Sequence, residues 1–349
     1  MNVGIVGATG YGGVELIRLL HHHPEVKQIH VYSTTKEGEP LHKTYPHLGG
    51  QQGTLILKSF QPEEMARECD VVFLAAPAGV SAEISPLLFD TGVKIIDLSG
   101  DLRIQDREKY KAWYHREPAP ERVIEEAVYG LSEWARPAIE KAKIIANPGC
   151  YPTAALTGLL PVVKKGLIDL GTLIIDAKSG VSGAGRTPSA NAHFPEMNDN
   201  LKIYKVNQHQ HIPEIEQMLA TVHHSSEVPP VTFSTHLVPM TRGIMSTMYA
   251  SLTNKGTTLE KVRAVYEEAY RDAPFVRVRD DGNFPTTRDV YGSNYCDIGL
   301  TLDERTGRLT IVSVIDNLVK GAAGQAVHNF NLMFGFDEMD GLRLLPVYP

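Results

Sequence analysis

The chain of 349 residues has only three cysteines, Cys69, Cys150 and Cys296. They lie far apart, with no Cys-x-x-Cys pair and no Cys/His ligand spacing. That pattern excludes a disulfide framework and a zinc ribbon, and each thiol has to be judged alone. Nowhere do ~18 apolar residues run uninterrupted, so the sequence offers no membrane span. The opening Met1-Asn2-Val3-Gly4-Ile5 lacks the basic start and small-residue cleavage site of a secretion signal and reads as a buried strand; a cytoplasmic location is expected. Positive charge is not in surplus either. The formal net charge is −7, with lysine and arginine dispersed, which argues against nucleic acid as a partner. An anionic small molecule would have to be held by a few local groups. Internal repeats and low-complexity tracts are also missing.

What is present suits two globular domains: 42% hydrophobic and 21% charged residues in a chain long enough for two cores. Short β-like runs at 3–6, 28–32, 71–75, 94–97 and 143–146, with a helical pattern at 12–22, predict a parallel sheet with crossover helices. Residues 101–148 carry Pro118, Pro120 and Pro137 among charges and read as a surface connection before that last strand. From about residue 151 the pattern changes. Strands at 171–177, 232–238, 243–252, 296–303 and 308–315 predict a larger mixed sheet, with helices at 153–165, 212–221, 258–270 and 322–334. The last helix is expected to pack back onto the first domain. The expected division is therefore 1–149, completed by 318–349, and a second α+β domain over 150–317.

The run Gly7-Ala8-Thr9-Gly10-Tyr11-Gly12-Gly13 joins the first strand to the first helix. Glycines there let the backbone turn tightly and approach a pyrophosphate, and the helix N-terminus offers N–H groups and a positive dipole end. Nucleotide binding is expected at Gly7, Thr9, Gly10, Tyr11 and Gly12. The second strand ends in Tyr32-Ser33-Thr34-Thr35-Lys36, without the acidic residue that would hold a ribose 2′-OH. Ser33, Thr34 and Lys36 suit a 2′-phosphate instead, which favours NADPH over NADH. The Tyr-x-x-x-Lys spelled by Tyr32 and Lys36 is read as a coincidence, because it ends the second strand.

Cys150 lies in Asn147-Pro148-Gly149-Cys150-Tyr151-Pro152-Thr153, at a predicted strand-to-helix junction where free N–H groups and a helix dipole favour a thiolate and an oxyanion. It is the expected nucleophile; Cys69 and Cys296, beside apolar strands, read as buried structural residues. A proton donor is sought in Asn207-Gln208-His209-Gln210-His211-Ile212-Pro213-Glu214, where two histidines and a carboxylate share a helix start. No third ligand motif accompanies His209 and His211, so no metal is expected. His21-His22-His23 reads as the solvated end of the first helix, and His223-His224 as the exposed tail of another.

Taken together, Gly7–Gly13, the segments 97–103, 147–153, 179–186, 209–216 and 238–243, and Asn317 with the residues to Gln325 make the chain resemble the N-acetyl-gamma-glutamyl-phosphate reductase family. The resemblance runs from the first strand to the last helix. That family is similar in fold and chemistry to aspartate-semialdehyde dehydrogenase and, more distantly, to phosphorylating glyceraldehyde-3-phosphate dehydrogenase. It implies a Rossmann-type doubly wound parallel sheet and a C-terminal α+β domain with a large mixed sheet. It also implies reduction by NADP(H) of an acyl phosphate, N-acetyl-glutamyl 5-phosphate, to the semialdehyde and phosphate through a thioester, a step toward arginine.

By that resemblance Cys150 attacks the acyl phosphate and His209 is the acid/base, with His211 the alternative and Glu214 orienting an imidazole or the substrate amide. Arg103, Arg186 and Arg242 are the candidate cations for the substrate's carboxylate and phosphate, joined by Ser99, Asn147 and His211 as substrate-binding residues. Ser179, Gly180, Gly183, Ala76, Pro77 and Asn317 would complete the cofactor pocket. Two positions depart from the family: Thr34 follows Ser33 where an arginine is common, and Gln210 stands where arginine usually separates the two histidines.

Other readings stand beside this one. A carrier-protein-linked aminoadipyl or glutamyl phosphate reductase of lysine synthesis would run the same chemistry. An aspartyl-phosphate reductase should carry its histidine after the Val-Pro motif, where Thr241-Arg242-Gly243-Ile244 has none. A non-catalytic NADP sensor would have no use for Cys150 or His209. Association through the broad sheet, as a homodimer or homotetramer, is expected.

Overall fold

The computed structural model describes residues 1–33, 36–49 and 55–348. The chain divides into two compact units, one of Met1–Pro148 with Ala322–Arg343 and one of Gly149–Gly321 with Leu344 and the residues after it. Each has a seven-stranded sheet of its own.

In the first unit the strands are β1 Asn2–Val6, β2 Gln28–Tyr32, β3 Leu57–Lys58, β4 Val71–Leu74, β5 Lys94–Asp97, β6 Ala127–Tyr129 and β7 Ile144–Ala146. They pair in the order β3-β2-β1-β4-β5-β7-β6, all parallel. The strand order reverses at β1/β4, where the doubly wound fold places a ligand beyond the carboxyl ends of the strands. Strands covered on both faces need apolar residues in unbroken runs, not alternation; β4 and β7 are buried at every position. That is why the sequence shows these strands so plainly.

The region 101–148 is not a surface connection. It forms the helices Arg107–Tyr114, Glu121–Glu126 and Ser132–Ile139 and the edge strand β6. Leu102, Ile104, Tyr110, Val123 and Ile139 are core residues. Prolines and charges misled here because helices this short keep their charged faces in water and start or end at proline.

The last helix, Gly324–Phe334, is buried along ten of its residues and packs on helices Tyr11–Leu20 and Ser132–Ile139. His23 belongs to that packing, and its expected solvation is overturned. It is 3% exposed, bonds Asn331 through Nε2 at 2.7 Å, and burial lowers its pKa. His223 and His224 are exposed.

The second unit is built on β8 Ile168–Gly180, β9 Lys202–Tyr204, β10 Thr232–Val238, β11 Ile244–Leu252, β12 Val276–Val278, β13 Cys296–Asp303 and β14 Arg308–Ile315. The order is β12-β13-β14-β11-β8-β10-β9, with parallel and antiparallel pairs mixed. Along β8 and β11 buried and part-exposed residues alternate. One face therefore packs inward and the other is partly in water. Against the inner face lies the helix Cys150–Lys164, buried at every residue from Tyr151 to Val163. Helices Ile212–His223 and Leu259–Tyr270 cover its other side. The hydroxyls of Tyr266 and Tyr270 donate to the carbonyls of Gly158 and Thr157 at 2.5 Å each. Gly158 is tight against Met248 and Ser313 of the sheet. The cysteine-bearing helix is thus clamped from both sides. Among the described residues no helix is long and apolar enough to cross a membrane.

Candidate active site

Two sets of predicted residues assemble, one in each unit. In the first, Gly7 has φ +86, and a Cβ there would lie 2.5 Å from the Ala75 carbonyl oxygen. A Cβ on Gly13 would lie 2.4 Å from the Gly7 oxygen. Both positions therefore demand glycine: one for its backbone conformation and both for close approach. Gly10 and Gly12 have no such crowding, their nearest neighbours being 3.5 and 4.0 Å from a built Cβ. Side-chain-free backbone at the start of helix Tyr11–Leu20, with no acidic residue in its first turn and no side-chain cap on Gly10, leaves room and N–H donors for an anion. The residues fit a dinucleotide pyrophosphate. Tyr45, which sequence reasoning missed, donates its hydroxyl to the Thr9 carbonyl at 3.0 Å; nothing in its local sequence signals that contact.

At the end of β2, Ser33 Oγ accepts the Lys36 N–H at 3.1 Å. Thr34 lies outside the described residues. Tyr32 is buried and its hydroxyl donates to Glu68 at 3.1 Å, which agrees with reading Tyr32-x-x-x-Lys36 as a coincidence. Ala76 and Pro77 follow β4, on the turn that the Gly7 loop touches.

Ser99, Arg103 and Asn147 gather at the ends of β5 and β7. Arg103 is 6% exposed and donates Nε to the Asn147 carbonyl at 2.7 Å and an Nη to the Leu98 carbonyl at 2.8 Å. Asn147 receives Asn329 Nδ2 at 3.0 Å and donates to the Ala322 carbonyl at 3.2 Å. Ser99 Oγ donates to Asp97 at 2.8 Å. Burial, reinforced by Asp101, pushes the Asp97 carboxyl up to about 6. These side chains spend much of their bonding on shaping the strand ends.

In the second unit, Cys150 is itself the first residue of its helix, three residues before the predicted start, with Gly149 as the N-cap. It is half-buried, whereas Cys69 and Cys296 are buried. The Gly149 N–H donates to Glu214 Oε1 at 2.8 Å, and Glu214 is fully buried. Gly321 presses on the other side, where a Cβ would come within 2.9 Å of the Cys150 Cβ. Tyr151 and Tyr204, neither of them predicted, share a hydroxyl–hydroxyl bond of 3.0 Å. Burial raises both, Tyr204 to about 12, and the charge of Cys150 adds to the rise in each.

His209 and His211 adjoin, with ring centroids 4.6 Å apart. The rings of Tyr151, Tyr204 and Phe233 surround His209. Its Nδ1 accepts the His211 backbone N–H at 3.2 Å, so its proton sits on Nε2. Burial, helped by Lys205, pushes it down to about 3. His209 is a neutral ring at ordinary pH.

Asn317 ties two of the remaining predicted segments together. Its Oδ1 accepts the Gly243 N–H at 2.8 Å and its Nδ2 donates to Ser182 Oγ at 3.0 Å. Gly180 is so close to Thr241 that a Cβ would meet its carbonyl oxygen at 2.7 Å, and Gly183 stands similarly against Ser179 Oγ. Arg242 lies 3.6 Å from Asp316, a buried carboxylate that also accepts three backbone N–H groups. Sequence reasoning passed over Asp316, although it directly precedes Asn317. Arg186 is exposed.

Comparison with known proteins agrees with both units. A family model for the semialdehyde dehydrogenase NAD binding domain matches residues 2–142, and one for the semialdehyde dehydrogenase dimerisation domain matches 150–317. N-acetyl-gamma-glutamyl-phosphate reductases from Geobacillus sp. (strain WCH70) and Bacillus subtilis (strain 168) are 57% and 56% identical over 349 residues, covering all of both chains. Among solved structures, aspartate semialdehyde dehydrogenase II complexed with ASA from Vibrio cholerae aligns with a TM-score of 0.72 at 19% identity, over 95% of this chain and 97% of its own. Aspartate semialdehyde dehydrogenase with NADP from Candida albicans aligns at 0.71 and 19%, over 96% and 99%. These two speak for the fold alone. With the fold, the helix that begins at Cys150 and relatives this similar over their whole length, the chain belongs to the N-acetyl-gamma-glutamyl-phosphate reductase family of semialdehyde dehydrogenases.

Proposed function

We propose that the protein reduces N-acetyl-L-glutamyl 5-phosphate to N-acetyl-L-glutamate 5-semialdehyde and phosphate with NADPH, in arginine biosynthesis. The observation that carries this is identity of 55–57% over the full length with reductases of that name. It favours neither the carrier-linked reductase nor the NADP sensor.

Cys150 is the nucleophile in this reading, supported by its place as the first, half-buried residue of a clamped helix. Its thiolate attacks the acyl carbonyl; a C–S bond forms and the C–O bond to phosphate breaks. NADPH, when bound, supplies the hydride that reduces the thioester carbonyl. The oxyanion so formed takes a proton from the His209–His211 pair. Both rings are buried; because His209 is held neutral, His211 is the ring proposed to carry the proton, with His209 accepting its backbone N–H through Nδ1. The hydroxyl proton of the thiohemiacetal then returns to that histidine as the C–S bond breaks, releasing the aldehyde and restoring the thiolate.

Gly7, Thr9, Gly10, Tyr11, Gly12, Ser33, Thr34, Lys36, Ala76 and Pro77 are assigned to the cofactor, with Ser179, Gly180, Gly183 and Asn317. Arg103, Arg186, Arg242, Ser99, Asn147 and His211 are assigned to the anionic substrate. For Arg103 and Asn147 the backbone bonds support a positioning role. Glu214 acts on the nucleophile through Gly149. Residues 1–149 with 318–349 serve as the NADP-binding domain, and 150–317 as the catalytic and oligomerisation domain of a cytoplasmic homodimer or homotetramer.

The test runs the reaction backward. Purified protein, NADP, phosphate and N-acetyl-glutamate semialdehyde should yield NADPH. The yield should require phosphate, prefer this substrate to aspartate semialdehyde and vanish in Cys150→Ser. Absence of turnover from wild-type protein that binds NADPH would overturn the assignment.

A further inference from the structure

The helix Arg107–Tyr114 ends at His115, which takes the left-handed conformation with φ 54 and ψ 39. Left-handed residues are common where a helix ends, and histidine is among the non-glycine types enriched in that conformation. Three and four residues on, Pro118 and Ala119 are buried. Arg116 thus stands between the end of that helix and a buried Pro118-Ala119 segment, with its side chain exposed.

That side chain lies across Gly79. A Cβ on Gly79 would come within 2.8 Å of an Arg116 Nη and 3.3 Å of its Cζ, and Gly79 has φ +94. Asp101 sets this arrangement. Its carboxylate accepts the Gly79 N–H at 2.7 and 2.9 Å and the Ala82 N–H at 2.9 Å. It also accepts the hydroxyl of Tyr110, from the helix that Arg116 follows, at 2.6 Å. Both the bed and the chain that brings the guanidinium to it are thus tied to one buried group.

The charge of Arg116 is not matched by an ion pair. No carboxylate among the described residues lies within 4 Å of its guanidinium, and the adjacent Glu117 turns to Lys111 at 3.1 Å. In a chain of net charge −7, an arginine laid over Gly79 without a carboxylate at ion-pair distance is suited to an incoming anion, and its planar fork matches phosphate.

The location agrees. The turn from Ala75 to Gly79 follows β4, and the Gly7 loop touches it at Ala75. The two form one surface at the carboxyl ends of β1 and β4, and Gly79 stands within about 14 Å of chain from Ala75. We infer that Arg116 binds a phosphate group of the ligand that occupies this edge. The inference rests on reading the edge as a dinucleotide site and adds a cation that neither the glycine loop nor Lys36 provides. The phosphate belongs either to the cofactor's pyrophosphate or to the phosphate that the reaction exchanges.

Binding without turnover tests it, so its failure is separable from failure of the proposed reaction. NADPH is titrated by fluorescence and inorganic phosphate by calorimetry, on wild-type, Arg116→Gln and Arg116→Lys protein of equal thermal stability. A charge-assisted hydrogen bond corresponds to about tenfold or more in affinity. Weaker NADPH binding in Arg116→Gln with phosphate unchanged assigns the cofactor. Weaker phosphate binding with NADPH unchanged assigns the exchanged phosphate. Arg116→Lys should fall between wild type and Arg116→Gln. If both ligands bind Arg116→Gln within twofold of wild type, the inference is wrong.

Discussion

The backbone N–H of Gly149 is held at 2.8 Å by the buried carboxylate of Glu214, from a helix 65 residues further along the chain. Gly149 caps the helix that begins with Cys150, so this bond sets where the thiol stands. Glu214→Ala should lower kcat on the order of a hundredfold, since small misplacements of a reacting group are costly. Its NADPH affinity should be unchanged. Glu214→Gln keeps an acceptor and should recover most of the rate. Equal losses in the two variants, read by steady-state kinetics, would instead point to a need for the charge.

His209 and His211 should separate by pH. In wild type the His209 ring is neutral well below pH 6.5, so it carries no charge change near neutrality. His211→Asn should cut the rate about 10²–10⁴-fold. His209→Asn should lower the rate less and leave the shape of the profile. The reverse pattern would make His209 the proton carrier.

The same group predicts acid sensitivity. A histidine whose folded pKa is depressed favours the native state above its unfolded value of 6.5 and loses that advantage as pH falls toward about 3. His23, also lowered by burial, adds to it. Thermal melts should fall progressively below pH 6.5, and His209→Phe should flatten that slope.

Asp97 works in the opposite direction. Its carboxyl is raised to about 6 by burial and by Asp101, so the native state is favoured below the unfolded pKa of about 4 and loses that advantage as pH rises through 6. Asp97→Asn should gain on the order of 3 kcal/mol at pH 8 and nothing at pH 3.5. Denaturant melts at the two pH values provide the comparison.

Gly321→Ala puts a methyl within 2.9 Å of Cys150 Cβ and 3.2 Å of an Ile315 methyl. The nucleophile should shift, with slower alkylation of Cys150 and a loss in kcat, while NADPH affinity is retained. Unaltered alkylation would show that the helix start can give way.

Local chemistry made much of this protein legible. Continuous apolar runs announce the buried parallel strands of the first unit; β2 and β5 there, and β10, β13 and β14 in the mixed sheet, occupy the predicted residues. Gly7 and Gly13 stand where only glycine fits, and Cys150 begins a helix because Gly149 and Pro152 favour a helix start. These signals act over a few residues, which is the range that a sequence pattern can carry. The tertiary structure decided the rest. Glu214 meets Gly149, Asn317 joins Ser182 to Gly243, and Arg116 lies on Gly79. The same holds for the burial of His23 against the last helix and for the core residues within 101–148. Each depends on which distant segments pack together. A hydrogen bond between groups far apart in the chain leaves no periodicity or spacing to read, because it is set by strand register and helix packing.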